Sequence, residues 1–258
     1  MTSITFFSLK GGTGKTSLVG ALGWLLAQKG RSVLLIDLDP QGHLSRSFDL
    51  PSSDGGVSLY EVLIQGRPLA EAVRPTTYPH LSIVPAAEGH LDLPTALFQQ
   101  PWREWRLKDA LTAMPTPAFD WVLLDTGANL NLITYNALFA GRNLIVPTLP
   151  EVYSYLSLKT LFSFLKKTEE DYRYRFDRIG ILLNRLNNHR PLDRETRDAL
   201  KKYYGRFLLP VMVREDPKVA EAARTGLPLP RFAPETTAVR DLTKVIRLLE
   251  TLYPPSSV

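Results

Sequence analysis

Seven consecutive residues, Lys10-Gly11-Gly12-Thr13-Gly14-Lys15-Thr16, constrain this chain more than any other segment. They lie between an apolar run at 4–9 and a helix-like run at 17–28. Strand, glycine loop and helix N-terminus in that order make a cradle for a polyphosphate. Glycines let backbone N–H groups approach phosphate oxygens, and the first helical turn adds unpaired donors and the positive end of the helix dipole. In such a cradle Lys15 reaches the β- and γ-phosphates, and the Thr16 hydroxyl is placed to ligate Mg²⁺.

A strand–loop–helix start commits a chain to alternating β and α elements, and the remaining residues keep that rhythm. Short continuous apolar runs, the mark of strands buried on both faces, occur at 32–37, 81–84, 121–125, 143–146, 179–183 and 207–211. Helical stretches at 102–113, 130–140, 153–170, 194–204, 217–225 and 236–252 separate them. The pattern predicts an α/β fold, a doubly wound and mostly parallel central sheet with helices on both faces. With 258 residues, 44% of them hydrophobic, one large domain over 1–253 is the expectation, followed by a disordered tail at 254–258.

Other chemistries find little footing. There is no cysteine, hence no disulfide framework and no thiolate zinc site, and His43, His80, His90 and His189 lack metal-ligand spacing. No apolar run is long enough to span a bilayer, and Met1-Thr2-Ser3 leads into the first strand without a signal-like region. A cytoplasmic protein is expected. The net charge of +5 permits contact with DNA or an anionic membrane without requiring either.

In open parallel sheets, ligands sit at the carboxyl ends of the strands. Three polar clusters follow strands directly: the glycine loop, Asp37-Leu38-Asp39-Pro40-Gln41-Gly42, and Asp125-Thr126-Gly127-Ala128. Asp125 closes an apolar strand, the pattern of a Walker B carboxylate that holds Mg²⁺. Asp37 and Asp39 alternate, so an extended segment points both to one side, toward the γ-phosphate end. Phosphoryl transfer to water requires these parts: a held triphosphate, a metal, a positioned water and cations.

The spelling of the loop adds a resemblance. A common Walker A loop carries glycine where Leu9 stands, whereas here Lys10 supplies a second lysine. This deviant form resembles the ParA/MinD family of dimerising ATPases. Asp39-Pro40-Gln41-Gly42 matches the family's D-P-Q-G segment. Weaker matches follow in order along the chain: Ser58 to Leu63, Leu81 to Ala86, Trp105 to Leu111, then Ala220-Glu221-Ala222 with Gly226-Leu227-Pro228. Where the family has two prolines after the Walker B segment, this chain has Gly127-Ala128, which also resembles MinD-like and flagellar-placement relatives.

The resemblance implies ATP and Mg²⁺ as cofactors and weak basal ATP hydrolysis. It makes Lys10, Gly11, Gly12, Thr13, Gly14, Lys15, Thr16 and Ser17 the nucleotide loop, with Asn184 beside the adenine, either as its reader or as an ordinary strand-ending residue. Thr16, Asp37 and Asp125 become the metal set. Asp39 becomes the carboxylate that positions the attacking water, and Lys10 the cation that crosses to the partner's nucleotide in an ATP-dependent homodimer. ParA-like function further implies non-specific binding to nucleoid DNA, through Arg190, Arg214 and Lys218, and a ParB-like partner that stimulates hydrolysis. The alternative is a membrane-associated positioning ATPase of MinD or flagellar type. Against it, the apolar stripe Val239, Leu242, Val245, Ile246, Leu249 and Leu252 suits packing on the sheet better than insertion in lipid. With so short a start before the first strand, no operator-binding domain is expected ahead of it.

Overall fold

The computed structural model describes residues 1–50, 56–86, 92–115, 119–151 and 153–253. The expected tail at 254–258 and His90 lie outside these residues. Eight strands form one sheet in the order β3-β4-β2-β5-β1-β6-β7-β8. They are β1 (Thr2–Phe6), β2 (Val33–Asp37), β3 (Arg74–Pro75), β4 (Leu81–Val84), β5 (Trp121–Asp125), β6 (Asn143–Thr148), β7 (Arg178–Leu186) and β8 (Leu208–Arg214). Every pairing is parallel except β3 with β4. This is the doubly wound sheet that the alternation predicts.

The side-chain period of two explains why the strands read as unbroken apolar runs. Val33 and Leu35 of β2 pack toward α1 (Lys15–Gln28) and α11 (Thr237–Leu252), while Leu34 and Ile36 pack toward α5 (Arg106–Thr112) and α6 (Leu132–Gly141). Further along, Leu144, Val146, Ile181 and Leu183 share one core with α7 (Ser154–Asp171) and α8 (Pro191–Tyr204). Helix α1 comes so close to β2 that a Cβ added at Gly23 would lie 2.6 Å from a Leu35 methyl. The stripe of α11 is buried against α1 and β8 from Val239 through Leu249. No described helix is long and apolar enough to cross a membrane.

Some boundaries differ from the sequence expectation. Strand β1 ends at Phe6 and not at residue 9, because Ser8 is already bonded into the loop. The helix expected at 102–113 begins only at Arg106, since Pro101 precedes it and Trp102 takes a left-handed φ of 51°. Strand β3 has two residues and was not anticipated; its Pro75 is tolerable only on an edge. The weak family match at Ser58 to Leu63 runs into a π-helical turn over Glu61–Gln65, and Arg106 donates to its Leu63 and Ile64 carbonyls.

Candidate nucleotide site

The carboxyl ends of β1, β2 and β5 finish level: Phe6 and Asp37 both stand opposite Asp125. The loop after β1 turns into α1 through Gly12 and Gly14, at φ 73° and 86°. Gly14 is the N-cap of α1 and no side chain caps that end, so its first N–H groups face the crevice. Any Cβ at Gly14 would stand 2.5 Å from the Asn184 amide nitrogen, so the loop is closed around a residue with no side chain. A crevice of about 1280 Å³ opens here, bordered by Gly12, Lys15, Thr16, Asp39 and Asn184 and, farther out, by Asp216 and Pro217. It has room for a nucleoside triphosphate.

Lys15 is buried, its ammonium 3.4 Å from the Ser8 hydroxyl. Burial lowers its pKa, while the charges of Asp125 and Asp39 work to raise it. A desolvated lysine between two carboxylates is poised to take a polyanion in exchange. Ser8 also bonds the Thr13 hydroxyl at 2.8 Å and donates to the Lys10 carbonyl at 3.1 Å, holding the loop from beneath.

Asp125 is fully buried, and neither carboxylate oxygen has a hydrogen-bond partner of ordinary geometry. Burial pushes its pKa well up, and Asp37 beside it adds to the effect; the Thr16 hydroxyl and Lys15 oppose it. Two orphaned carboxyl oxygens beside a threonine hydroxyl at the phosphate end fit a hard divalent cation, whose charge would favour their ionised form. Mg²⁺ at such a site needs few protein ligands, because phosphate oxygens and water complete its shell. That agrees with finding no cluster of three acidic or histidine ligands among the described residues.

The expected metal set therefore divides. Asp37 spends its oxygens on the fold: Oδ2 accepts from the Ser45 N–H at 2.8 Å and the Ser45 hydroxyl at 2.7 Å, and Oδ1 accepts from the Asp39 N–H at 3.2 Å. Burial nevertheless pushes its pKa up to about 6 against those bonds. Asp37 also adds to the upward shift at Asp125. Asp39 stands at the crevice, its Oδ1 accepting from the Gln41 N–H at 3.0 Å and its carboxyl facing Gly127.

Asn184 was expected beside the base. Its Nδ2 donates to the Thr13 carbonyl at 2.8 Å, so it ties β7 to the phosphate loop, a bond the sequence did not disclose. Lys10 does not border the nucleotide crevice. Its ammonium pairs with Glu151, which follows β6. The sequence reading passed over Glu151, although it follows a strand's carboxyl end and the strand-end rule reaches it. Gly11 and Ser17 are exposed at the loop's mouth.

The three expected DNA contacts are all ion-paired. Arg190 meets Glu215, Lys218 meets Glu221, and Arg214 grips the buried Asp241 through Nε at 2.7 Å and Nη2 at 2.8 Å. The first two pairs are exposed and easily exchanged. Arg214, by contrast, is tied to the fold through a carboxylate that is buried.

Comparison with known proteins agrees with this geometry. The profile of an AAA domain family matches residues 1–177. The cell division protein PomZ of Myxococcus xanthus is 35% identical over 241 residues, 93% of this chain and 75% of its own. The sporulation initiation inhibitor protein Soj of Bacillus subtilis is 27% identical, covering 94% of this chain and 97% of its own. Among solved structures, the septum site-determining protein MinD of Pyrococcus horikoshii, complexed with Mg-ADP, superposes with a TM-score of 0.79 at 25% identity, over 98% of each chain.

Proposed function

This chain belongs to the ParA/MinD family of P-loop ATPases, and on that premise we propose that it is a ParA-like positioning ATPase working as an ATP-gated dimer on DNA. The cofactors are ATP and Mg²⁺; the similar MinD structure holds Mg-ADP. The observation that carries the dimer reading is the place of Lys10. A lysine on the phosphate loop that does not border its own nucleotide crevice is free to serve another.

The residues divide the chemistry among them. The loop N–H groups and Lys15 hold the phosphates, and Thr16 and Asp125 hold the metal. Held by Thr16 and Asp125, Mg²⁺ would supply charge neutralisation at the phosphates. Asp39 orients water at the γ-phosphate, and its turn keeps the carboxyl at the crevice mouth. Lys10 of the second subunit adds the positive charge that the transition state requires, as an arginine finger does.

DNA is the working surface on this reading, with Arg190 and Lys218 giving up their weak carboxylate partners for phosphates. Nucleoid association follows, and a ParB-like partner stimulates hydrolysis and releases the dimer. The packed stripe of α11 supports DNA over membrane, since those residues are spent on the core. The test sets two assays side by side with ATP: DNA gel shift at two salt concentrations, and co-sedimentation with anionic liposomes. Salt-sensitive, ATP-dependent DNA binding is expected; liposome binding without DNA binding points to a MinD-type membrane ATPase instead.

A further inference from the structure

The ion pair between Lys10 and Glu151 lies within one subunit. Glu151 stands in a turn that is built without its side chain. Its N–H donates to the Leu149 carbonyl at 2.9 Å, its carbonyl accepts from the Ser154 N–H at 2.9 Å, and the Ser154 hydroxyl closes onto the Leu149 carbonyl at 2.7 Å. The Lys10 backbone is fixed in turn by Ser8. Two rigid supports thus bring one carboxylate to one ammonium. The pair is half-open to solvent, at 32% and 49% exposure, and Tyr153 and Leu156 stand bare in the residues that follow. Exposed apolar side chains beside an exchangeable ion pair suit a face that a second copy of the chain covers.

We propose that Glu151 sets the threshold for self-association. In a lone subunit it holds Lys10 on its own side, and the ammonium leaves it for the triphosphate of a second copy only when that copy is loaded. The proposal rests on the cross-subunit role of Lys10 given above. Exposed ion pairs are weak, so the hold is shallow and a polyanion with several oxygens outbids one carboxylate. Two such pairs must open for each dimer. Glu151 is therefore a positioning residue that acts through Lys10.

The experiment measures the dimer dissociation constant by analytical ultracentrifugation with a non-hydrolysable ATP analogue. Glu151→Gln keeps size and removes charge. It is expected to tighten the dimer roughly two- to thirtyfold, from two exposed pairs at a few tenths to one kcal/mol each. Glu151→Asp should return the constant toward wild type, and the nucleotide-free thermal midpoint should not move in either. Glu151→Ser serves as a second removal variant with the same expected tightening. An unchanged constant in the removal variants overturns the proposal, and so does a weaker dimer, which would put Glu151 to work inside the closed state. A wild type that stays monomeric with the analogue removes the cross-subunit role of Lys10 and this proposal together. A wild-type dimer with unshifted variants removes this proposal alone.

Discussion

The Asp39 carboxylate faces Gly127 closely enough that a Cβ at 127 would stand 3.7 Å from it. Two of the three strand-end clusters therefore meet, and no side chain at 127 intrudes between them. Asp39→Ala removes the carboxyl but keeps the turn's backbone bond from the Gly42 N–H to the residue 39 carbonyl. Turnover should fall about 10²- to 10⁴-fold, the usual worth of a positioned base. Nucleotide affinity and ATP-dependent dimerisation should hold within a few fold. Phosphate-release kinetics beside equilibrium ATP binding check this, and near-normal turnover would remove Asp39 from the role.

Asp125 is costly to the nucleotide-free fold. Its folded pKa is raised well above its unfolded one, so the native state binds more protons in that interval, and stability falls as pH rises through it. Asp37, pushed up to about 6, has the same sign between about pH 4 and 6. Asp125→Asn should raise the midpoint of thermal unfolding at pH 7, by about 2–4 °C for each kcal/mol gained in a chain of this size. It should also flatten the loss of stability as pH rises above the unfolded carboxyl value near 4. Mg²⁺-dependent turnover should drop at least about 100-fold. A variant no more stable than wild type at pH 7 would mean that the buried carboxylate is compensated without a cation.

The glycine loop, the carboxyl that ends β5 and the parallel sheet were legible because each rests on local chemistry. Glycine spacing, an apolar run ending in Asp, and strand–helix alternation are all written in contiguous residues. The bonds that hold the site were not legible for the opposite reason. Asn184 reaches Thr13 over 171 positions and Lys10 reaches Glu151 over 141, and only the strand order brings them together. Arg214 shows the same limit. A basic residue near a site reads as a surface charge until the fold places Asp241 beneath it. Resemblance placed Asp37 in the metal set, while its bonds to Ser45, eight residues on, could not be read from the sequence.

Asn184 separates two roles that one variant can tell apart. Its amide satisfies the Thr13 carbonyl inside the protein, and a buried acceptor left without a donor costs about 1–3 kcal/mol. Asn184→Ala should lower thermal stability without nucleotide and weaken ATP and GTP alike, roughly five- to a hundredfold. A residue that reads the base would instead lose ATP-over-GTP preference with stability intact. Competition titration of both nucleotides, alongside thermal unfolding, decides between loop brace and base reader.

Arg214 and Arg190 should part company under salt. Burial works to raise the Asp241 pKa, but its bonds with Arg214 and Lys244 outweigh burial and hold it below the usual carboxylate range. That contribution to stability is present above the unfolded value near pH 4 and is lost as pH falls through the folded one. Arg214→Ala should therefore destabilise the fold by about 1–3 kcal/mol at pH 7 by urea titration, with the gap to wild type closing toward pH 3. The lower part of that range is favoured because the guanidinium is 41% exposed. Its DNA affinity should keep the wild-type salt slope. Arg190→Ala should leave stability unchanged, since its pair with Glu215 is solvent-exposed, and should reduce the salt slope by about two for a dimer that loses two phosphate contacts. A slope that falls with Arg214→Ala and not with Arg190→Ala would return Arg214 to the DNA face and make the Asp241 clamp incidental.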